Sequence, residues 1–338
     1  MHKSVLCLAL YTEDDSLAVM SNDDSPFRSL SQEARELYLE SSISRIDVPS
    51  PLTFYRDYVS RNKPVIIKGA LNQWPALSKW TDSQYLRTQL GDQLVTIDIT
   101  PDGYGDSVKL HKYFVTPLEE KMPFNHFMDI IEGKIQYNGI VYCQHQNSSF
   151  TTEFQQLNKD IQELDWVREA FGHPPDAVNL WIGTSKSVST LHHDPYENLY
   201  GVIKGQKHFT LYPPTDLYWL DQKFYQKAHY EKYNSTQATV DNDGLDLKSA
   251  DNFVIVPDDT TVPWFDHDEN FPQHNQHVNP LKVSIGSGEL LYLPSLWFHR
   301  VEQDSPLTIA CNFWYDMEYD IKWNYYQFMS NIVKQRQK

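Results

Sequence analysis

Short runs rich in β-branched and aromatic residues, separated by turn residues, fill most of the chain between residues 94 and 315. The clearest of them are LVTIDIT, GIVYCQHQ, AVNLWIG, NLYGVIK, KHFTLYPP, LKVSIG, GELLYLPS, FHRVEQ and LTIACNFWY. Few long helical periods interrupt these runs, which argues against alternating βαβ units. The pattern therefore predicts a mainly β sandwich or barrel with flanking helices.

The two ends of the chain have different patterns. Residues 1–45 predict an N-terminal extension, partly disordered, with one short helix in SLSQEARELYLESS, where Ser29 and Gln32 match a capping box. Ordered structure is expected from residue 46, beginning with a helix in PLTFYRDYVSR and a strand in PVIIKGA. Residues 317–338 predict a C-terminal amphipathic helix. Its apolar face, which packs either on the domain or in a homodimer, comprises Ile321, Tyr325, Phe328, Met329, Ile332 and Val333.

Composition narrows the classes of partner. The 338 residues contain 29 Lys and Arg against 45 Asp and Glu, a formal net charge of −16. This balance argues against binding to a nucleic-acid backbone and is compatible with a basic peptide or protein partner, although acidity can also serve solubility alone. We therefore expect a protein substrate and no nucleic acid.

Targeting and cysteine patterns favour the cytoplasm and/or the nucleus. The early apolar segment SVLCLALY ends after about eight residues, whereas a membrane helix needs roughly 20, and no clear basic region or cleavage site marks a signal peptide. Cys7, Cys143 and Cys311 form no CxxC pair and no disulfide framework. No membrane span and no structural disulfide are predicted.

A cluster of ionisable side chains lies in the stretch TLHHDPYENLYGVIKGQKHF. In an extended segment His192 and Asp194 point to the same side, because side chains alternate with a period of two, and His193 points to the other. His299, beside an apolar strand in GELLYLPSLWFHRVEQ, supplies a third donor, unless it is a core histidine bonded to a carbonyl. Two histidines and one carboxylate form the facial triad of non-haem Fe(II) oxygenases.

Lys207 is the next informative residue. A two-residue hairpin loop at Gly205-Gln206 would place Tyr200, Val202 and Lys207 on one interior face. A lysine in that position is costly unless it meets an anion, and the distal carboxylate of 2-oxoglutarate is a suitable one. If the register slips by one residue, Lys207 is instead an ordinary surface lysine.

Several separate motifs, in order, resemble one family. LHHDPYENLYGVIKGQKHFTLYPP, GELLYLPSLWFHRV, NFWYDMEYD, FYRDYV, KPVIIKGAL, TPDGYGD and PDAVNLWIG are similar to JmjC-type Fe(II)- and 2-oxoglutarate-dependent oxygenases, in the branch of protein hydroxylases that includes the asparaginyl hydroxylase of hypoxia signalling. The resemblance covers the chain from about residue 46 to its end. It implies a double-stranded β-helix, the cupin-like jelly-roll JmjC fold, over residues 46–316.

The resemblance also implies roles for individual residues. His192, Asp194 and His299 match the iron ligands, with Fe(II), 2-oxoglutarate and O2 as cofactor and co-substrates, while His193 occupies a variable position. Ser189 stands where relatives often carry threonine, and either hydroxyl can donate the needed bond. The co-substrate contacts implied by the resemblance are Tyr142, Ser189, Asn198, Lys207 and Asn312.

The substrate class also follows from the resemblance. The most similar family members are lysyl hydroxylases that act at C3 on developmentally regulated GTP-binding proteins, and an acidic pocket would orient the lysine, with Glu197 or Asp316 as candidates. An endopeptidase acting on histone tails, with zinc and water, is a second hypothesis, although Lys207 has no use in a hydrolase. A JmjC histone lysine demethylase and a non-catalytic jelly-roll binding module are the others; chromatin-reading modules are absent from the sequence, and the triad is complete.

Overall fold

The computed structural model describes residues 25–146, 148–249, 252–266 and 278–336. The early apolar segment, Cys7 and the rest of the first 24 residues lie outside the described residues. Helices α1 to α8 span Ser25–Leu37, Pro51–Phe54, Ala76–Lys79, Ser83–Leu90, Phe124–Ile131, Ser149–Glu153, Asp165–Phe171 and Ile321–Arg336. A π-helical turn follows α2 at Tyr55–Val59, and 3-10 helices span Gln155–Asp160 and Pro214–Leu220. Strands β1 to β19 span Arg45–Asp47, Val65–Lys68, Leu94–Thr100, Tyr104–Gly105, Ser107–Lys109, Tyr113–Thr116, Leu118–Pro123, Ile140–Tyr142, Ala177–Gly183, Val188–His192, Tyr196–Lys204, Gln206–Tyr212, Lys223–Lys232, Lys248–Ser249, Phe253–Trp264, Leu281–Gly286, Glu289–Leu293, Phe298–Gln303 and Thr308–Asp316.

Two sheets form the jelly roll. One has the strand order β1-β2-β17-β11-β19-β9 and the other has the order β16-β12-β18-β10-β4. From β9 to β12 and from β16 to β19, strands that are consecutive in the chain fall in opposite sheets. Apolar residues of both sheets, including Tyr200, Val202, Phe209 and Leu211, pack in one buried cluster. The predicted fold class, mainly β with flanking helices and a cupin-like jelly roll, is confirmed.

Two smaller sheets and several helices cover the jelly roll. The strand orders are β14-β15-β13-β6-β5 and β7-β3-β8. A large core, centred on buried side chains such as Phe54, Trp80, Phe124 and Tyr292, joins the helices to the six-stranded sheet. Because the sheet is covered on that side, its strands are apolar on both faces rather than alternating, as in the burial of β19. None of the helices in the described part of the chain has the length and apolarity that a bilayer span requires.

The predicted hairpin at Gly205-Gln206 is wrong. Strand β11 pairs with β17 and β19, whereas β12 pairs with β16 and β18, so the chain turns a corner between sheets at Gly205. Gly205 has a φ of 78°, and a Cβ on it would lie 2.7 Å from the Thr308 hydroxyl. Tyr200, Val202 and Lys207 still face the same interior, because the two sheets oppose each other there.

The N-terminal helix begins earlier than predicted. Helix α1 starts at Ser25 rather than at the expected capping box of Ser29 and Gln32, and Pro26 in its first turn suits a helix start. Arg35 holds the helix on the domain, with Nη1 and Nη2 donating to the buried Asp216 carboxylate at 3.0 Å and 2.6 Å. Helix α1 falls within the predicted extension 1–45, whose boundary with a domain 46–316 stays a prediction.

The C-terminal helix α8 has two apolar faces rather than one. Tyr326 and Val333 are buried against the domain, as expected for one part of the helix. Ile321, Tyr325 and Phe328, by contrast, are 58%, 68% and 65% exposed. The six residues predicted to form a single apolar face therefore belong partly to a packed face and partly to an exposed one.

Candidate active site

Three side chains that can bind a metal, His192, Asp194 and His299, lie close together on the antiparallel strands β10 and β18 and just after β10. His192 ends β10 and is paired directly with His299 on β18 in the antiparallel register, so the two rings project from the same face. Asp194 follows two residues after β10. Its Oδ2 lies 3.9 Å from His192 Nε2 and 3.7 Å from His299 Nε2, and the three ligand atoms all lie within 4.8 Å of one another.

Backbone carbonyls orient both imidazoles. His192 Nδ1 donates to the carbonyl of Thr190 at 2.7 Å, and His299 Nδ1 donates to the carbonyl of Trp297 at 3.0 Å. These bonds place the proton on Nδ1 and leave each Nε2 with a free lone pair towards Asp194. Burial, followed by the neighbouring His192, lowers the pKa of His299 well below its usual value, so this ring is a neutral donor.

Lys207 is fully inside the jelly roll. It is 2% exposed on β12, and its Nζ donates to the Tyr142 hydroxyl at 2.8 Å. Burial lowers the pKa of Lys207 to about 7, and no carboxylate of the described residues offsets that effect. The amino group is therefore buried without an anionic partner among the described residues.

The remaining predicted co-substrate residues are connected to Tyr142, either directly or through Trp181, whose ring centroid lies 6.0 Å from that of Tyr142. Burial raises the pKa of the Tyr142 phenol, and a hydrogen bond with the Ser189 hydroxyl partly offsets this rise. Asn312 accepts from Trp181 Nε1 at 2.8 Å and donates to Asn198 Oδ1 at 3.3 Å, and both asparagines are buried. The structure thus brings the predicted set to one interior, while their contacts with a co-substrate stay a prediction.

A glycine makes room for the tyrosine. A Cβ on Gly183, on β9, would lie 2.7 Å from the Tyr142 ring and 2.6 Å from Gln303 Nε2. Real Cβ atoms do not approach so closely, so only glycine leaves space for the ring that contacts Lys207. The sequence marked this glycine only as the end of a strand.

His193 lies on the other side of its segment, as the alternation predicted. Its ring packs edge-on against Phe298 and Tyr326, and a hydrogen bond of 3.0 Å joins His193 Nε2 to the Tyr326 hydroxyl. Burial lowers the pKa of His193 to about 4. It therefore connects the triad segment to helix α8.

The two acidic residues suggested for a lysine pocket are placed elsewhere. Glu197 is buried and accepts from the Tyr292 hydroxyl, the Ser295 amide and the Ser295 hydroxyl at 2.6, 3.1 and 2.9 Å. These bonds hold the turn that precedes His299 and leave the carboxylate no role as a free anion. Asp316 ends β19 on the exposed surface. The Glu197 carboxylate is therefore not free to bind a substrate cation, whereas the suggestion for Asp316 stays a prediction.

An acidic cavity, formed by residues that the sequence did not indicate, lies beside β10. Its carboxylates come from three separate parts of the chain, and Lys227 is the one lysine or arginine among its lining residues. Burial raises the pKa of Asp98, on β3, to about 7. The acidic side chains that line the cavity are Asp98, Asp106, Glu119 and Glu231.

The donor set fits the metal and the co-substrate that the sequence implied. Two imidazole nitrogens and one carboxylate oxygen on one side of a site suit Fe(II) and leave the opposite side open. The buried cation at Lys207, next to the Tyr142 hydroxyl, suits the distal carboxylate of 2-oxoglutarate. A zinc hydrolase could use the first set of residues but not the second.

Comparison with known proteins gives the same family. A family model described as a cupin-like domain matches residues 51–321. The chain is 39% identical to a bifunctional peptidase and (3S)-lysyl hydroxylase of Homo sapiens, over 92% of this chain and 95% of that protein. It is 38% identical to a lysine-specific demethylase of Arabidopsis thaliana, over 89% and 90%, and 36% identical to JmjC domain-containing protein E of Dictyostelium discoideum, over 92% and 94%. The chain therefore belongs to the JmjC cupin-like family of 2-oxoglutarate-dependent oxygenases.

Proposed function

We propose that this enzyme is an Fe(II)- and 2-oxoglutarate-dependent lysyl hydroxylase that acts at C3 on developmentally regulated GTP-binding proteins. The observation that carries the oxygenase chemistry is the buried Lys207, which lacks an anion and donates to Tyr142 inside the same jelly roll as the His-Asp-His triad. The choice of lysine and of C3 is supported by the similarity to the human (3S)-lysyl hydroxylase.

Three residues would hold the metal and two would hold the co-substrate. His192 and His299 offer Nε2, Asp194 offers a carboxylate oxygen, and Lys207 with Tyr142 offers donors to the distal carboxylate. Fe(II), 2-oxoglutarate and O2 together supply the oxidising power for C–H hydroxylation, with CO2 and succinate as by-products.

The other side chains of the site orient groups and exclude water. The Trp264 ring lies parallel to the His192 ring at 6.2 Å, and Trp264 Nε1 donates to the Thr190 hydroxyl at 3.3 Å. Trp181 and Asn312 fix the amide of Asn198 on the facing sheet. None of these contacts requires a protein side chain to act as a general base.

A peptidase and a demethylase are the competing functions, because relatives carry those names. A metal hydrolase activates water and needs no cation for an oxoacid, so the buried Lys207 favours the oxygenase. A demethylase uses the same cofactors but must place an N-methyl carbon at the metal. A non-catalytic binding module would not need a buried lysine, so it would not explain why the protein tolerates the free-energy cost of burying Lys207.

We also propose that helix α8 forms a homodimer through its exposed face of Ile321, Tyr325 and Phe328. These side chains lie on one side of the helix at a spacing of four and then three residues. Burial of such a face between two copies is favourable at about 25 cal/mol per Å². Phe328→Asp should convert a dimer to a monomer in light scattering; a wild-type monomer would contradict the proposal.

The free thiols Cys143 and Cys311 support an action in the cytoplasm and/or the nucleus.

The activity is tested with purified protein, Fe(II), 2-oxoglutarate and a purified GTP-binding protein of the developmentally regulated class. Mass spectrometry of the digested substrate should show one added oxygen on a lysine, dependent on 2-oxoglutarate and absent with His192→Ala. Peptide cleavage that continues without 2-oxoglutarate would support the peptidase instead. Loss of a methyl group from methylated histone peptides, with no added oxygen on the GTP-binding protein, would support the demethylase.

A further inference from the structure

The acidic cavity beside β10 is built from segments that flank the site. It has a volume of about 670 Å³, large enough for one long side chain. Asp98 comes from β3, Asp106 directly follows β4, Glu119 belongs to β7 and Glu231 to β13. Four carboxylates against the single ammonium of Lys227 give the cavity a negative potential that favours a cation.

Asp98 points to a ligand more specifically than the charge does. The residue is 9% exposed, and its Oδ2 accepts from Gln144 Nε2 at 2.8 Å. Its Oδ1 is buried and has no hydrogen-bond partner among the described residues. A buried carboxylate oxygen without a donor has lost its hydration with nothing to replace it, which is unfavourable. A donor supplied by a ligand would remove that penalty.

The cavity adjoins the strand that carries His192. Asp98 is paired directly with Tyr142 across β3 and β8, so their side chains leave the same face. On the other side, β4 runs parallel to β10 with Gly105 opposite Ser189, and the Thr190 hydroxyl donates to the Asp106 carbonyl at 2.6 Å. The segments that line the cavity are therefore neighbours of the strand that carries Tyr142 and of the strand that carries His192.

A glycine fixes the position of the amide beside Asp98. A Cβ on Gly105 would lie 2.7 Å from Gln144 Nε2 and 3.3 Å from its Oε1. With glycine at this position, the Gln144 amide can reach Asp98 and direct the free Oδ1 away from itself. The carboxylate is thus held by its neighbours rather than free to rotate to solvent.

We propose that Asp98 and Asp106 receive the ε-ammonium of the substrate lysine and thereby set the carbon that is hydroxylated. This inference rests on the proposed lysyl hydroxylase function. In an extended lysine side chain the ammonium lies about 5 Å from C3, because four single bonds separate them. A cation held in the cavity keeps the ε-carbon, which is bonded to the nitrogen, inside the cavity and leaves C3 free to reach towards the triad.

The same arrangement selects for an unmethylated lysine. An ammonium group has three N–H donors, and the free Oδ1 of Asp98 and the Asp106 carboxylate are acceptors. Each methyl group on the nitrogen removes one donor, and trimethyl-lysine has none. A demethylase, by contrast, would need the nitrogen itself close to the metal.

The test compares the binding of matched peptides. Overlapping fluorescein-labelled peptides of the GTP-binding protein are synthesised in pairs, with lysine or with norleucine, which lacks the ammonium. Dissociation constants are measured by anisotropy on the Fe(II)- and 2-oxoglutarate-loaded enzyme under nitrogen. In the wild type we expect at least one lysine peptide to bind at least tenfold more tightly than its norleucine partner.

Two variants and one control locate the effect. Asp98→Asn and Asp106→Asn keep the side-chain shape and remove the charge, and asparagine tolerates the φ of 49° at residue 106. Both should reduce the lysine preference to less than threefold, while 2-oxoglutarate affinity changes by less than twofold. Asp259→Asn, on the exposed part of β15, should leave the preference unchanged. Thermal unfolding confirms that each variant is folded.

The outcomes separate this inference from the proposed function. Three outcomes would overturn the assignment of the cavity: a lysine preference that remains in both carboxamide variants, a wild type without any preference, or tighter binding of an arginine peptide. Hydroxylation that continues unchanged in both variants would refute the cavity and keep the activity. Lysine-selective binding that depends on Asp98, without hydroxylation of any lysine, would refute the activity and keep the cavity.

Discussion

Replacement of Lys207 by methionine should stabilise the apoprotein while it weakens co-substrate binding. Burial lowers the pKa of Lys207 from 10.5 to about 7. Since one pKa unit corresponds to about 1.4 kcal/mol, burial of this lysine disfavours folding by up to about 5 kcal/mol at neutral pH. Methionine has a similar length and carries no charge, so Lys207→Met should raise the free energy of unfolding by about 2–5 kcal/mol.

The pH dependence of that gain identifies its cause. Below pH 10.5 the unfolded lysine is protonated, whereas the folded lysine becomes protonated only as the pH falls to about 7. The penalty therefore grows as the pH falls from 10.5 to 7 and is constant below 7. Urea unfolding of the metal-free protein should show a large difference between Lys207→Met and wild type at pH 7 and a small one near pH 10.

The same variant should lose the co-substrate. Removal of the buried counter-charge weakens binding by about 2–5 kcal/mol, or roughly 30-fold to several thousand-fold, without contact with a metal ligand. Lys282→Met, on the exposed side of β16, is the matched control and should change neither quantity. A Lys207→Met protein that is less stable at pH 7, or that binds 2-oxoglutarate normally, would refute the reasoning.

Three further predictions concern the same framework. The affinity for 2-oxoglutarate should be constant below about pH 7 and fall tenfold per pH unit above it, because Lys207 must take up a proton to bind the anion. Calorimetry in buffers of different ionisation enthalpy measures this proton uptake. Zero uptake at pH 8 would contradict the prediction. Gly183→Ala should weaken 2-oxoglutarate binding at least tenfold with metal affinity unchanged, because its Cβ would meet the Tyr142 ring at 2.7 Å; unaltered affinity in the same titration would show that the ring can move. Arg35→Ala should lower the free energy of unfolding by about 2–4 kcal/mol, because it leaves the buried Asp216 carboxylate unpaired; a loss below 0.5 kcal/mol in urea would refute this.

Local patterns predicted the strands and the triad well. The strand LVTIDIT and the observed β3 have identical bounds, and AVNLWIG, LKVSIG and FHRVEQ match β9, β16 and β18 in the same way. The alternation of side chains alone predicted that His192 and Asp194 face one side and His193 the other. In the structure, His192 and Asp194 lie together with His299, and His193 packs against Phe298. These features depend on neighbours within a few residues, which a sequence displays directly.

Long-range pairing could not be predicted in the same way. A glycine with positive φ serves a hairpin loop and a corner between sheets equally well, so Gly205 did not reveal that β11 and β12 lie in opposite sheets. The acidic cavity was missed because Asp98, Asp106 and Gln144 come from separate segments that only the sheet pairing brings together. Glu197 looked available in the sequence because its three donors come from residues about 95 positions away.

The origin of the added oxygen tests the central claim most directly. The enzyme is supplied with Fe(II), 2-oxoglutarate and the GTP-binding protein under 18O2, and the modified lysine peptide and succinate are measured together. We predict that the lysine gains one labelled oxygen from O2 and that succinate forms in at least equal amount. An added oxygen that carries no label, and therefore comes from water, or a product formed without 2-oxoglutarate, would contradict the account.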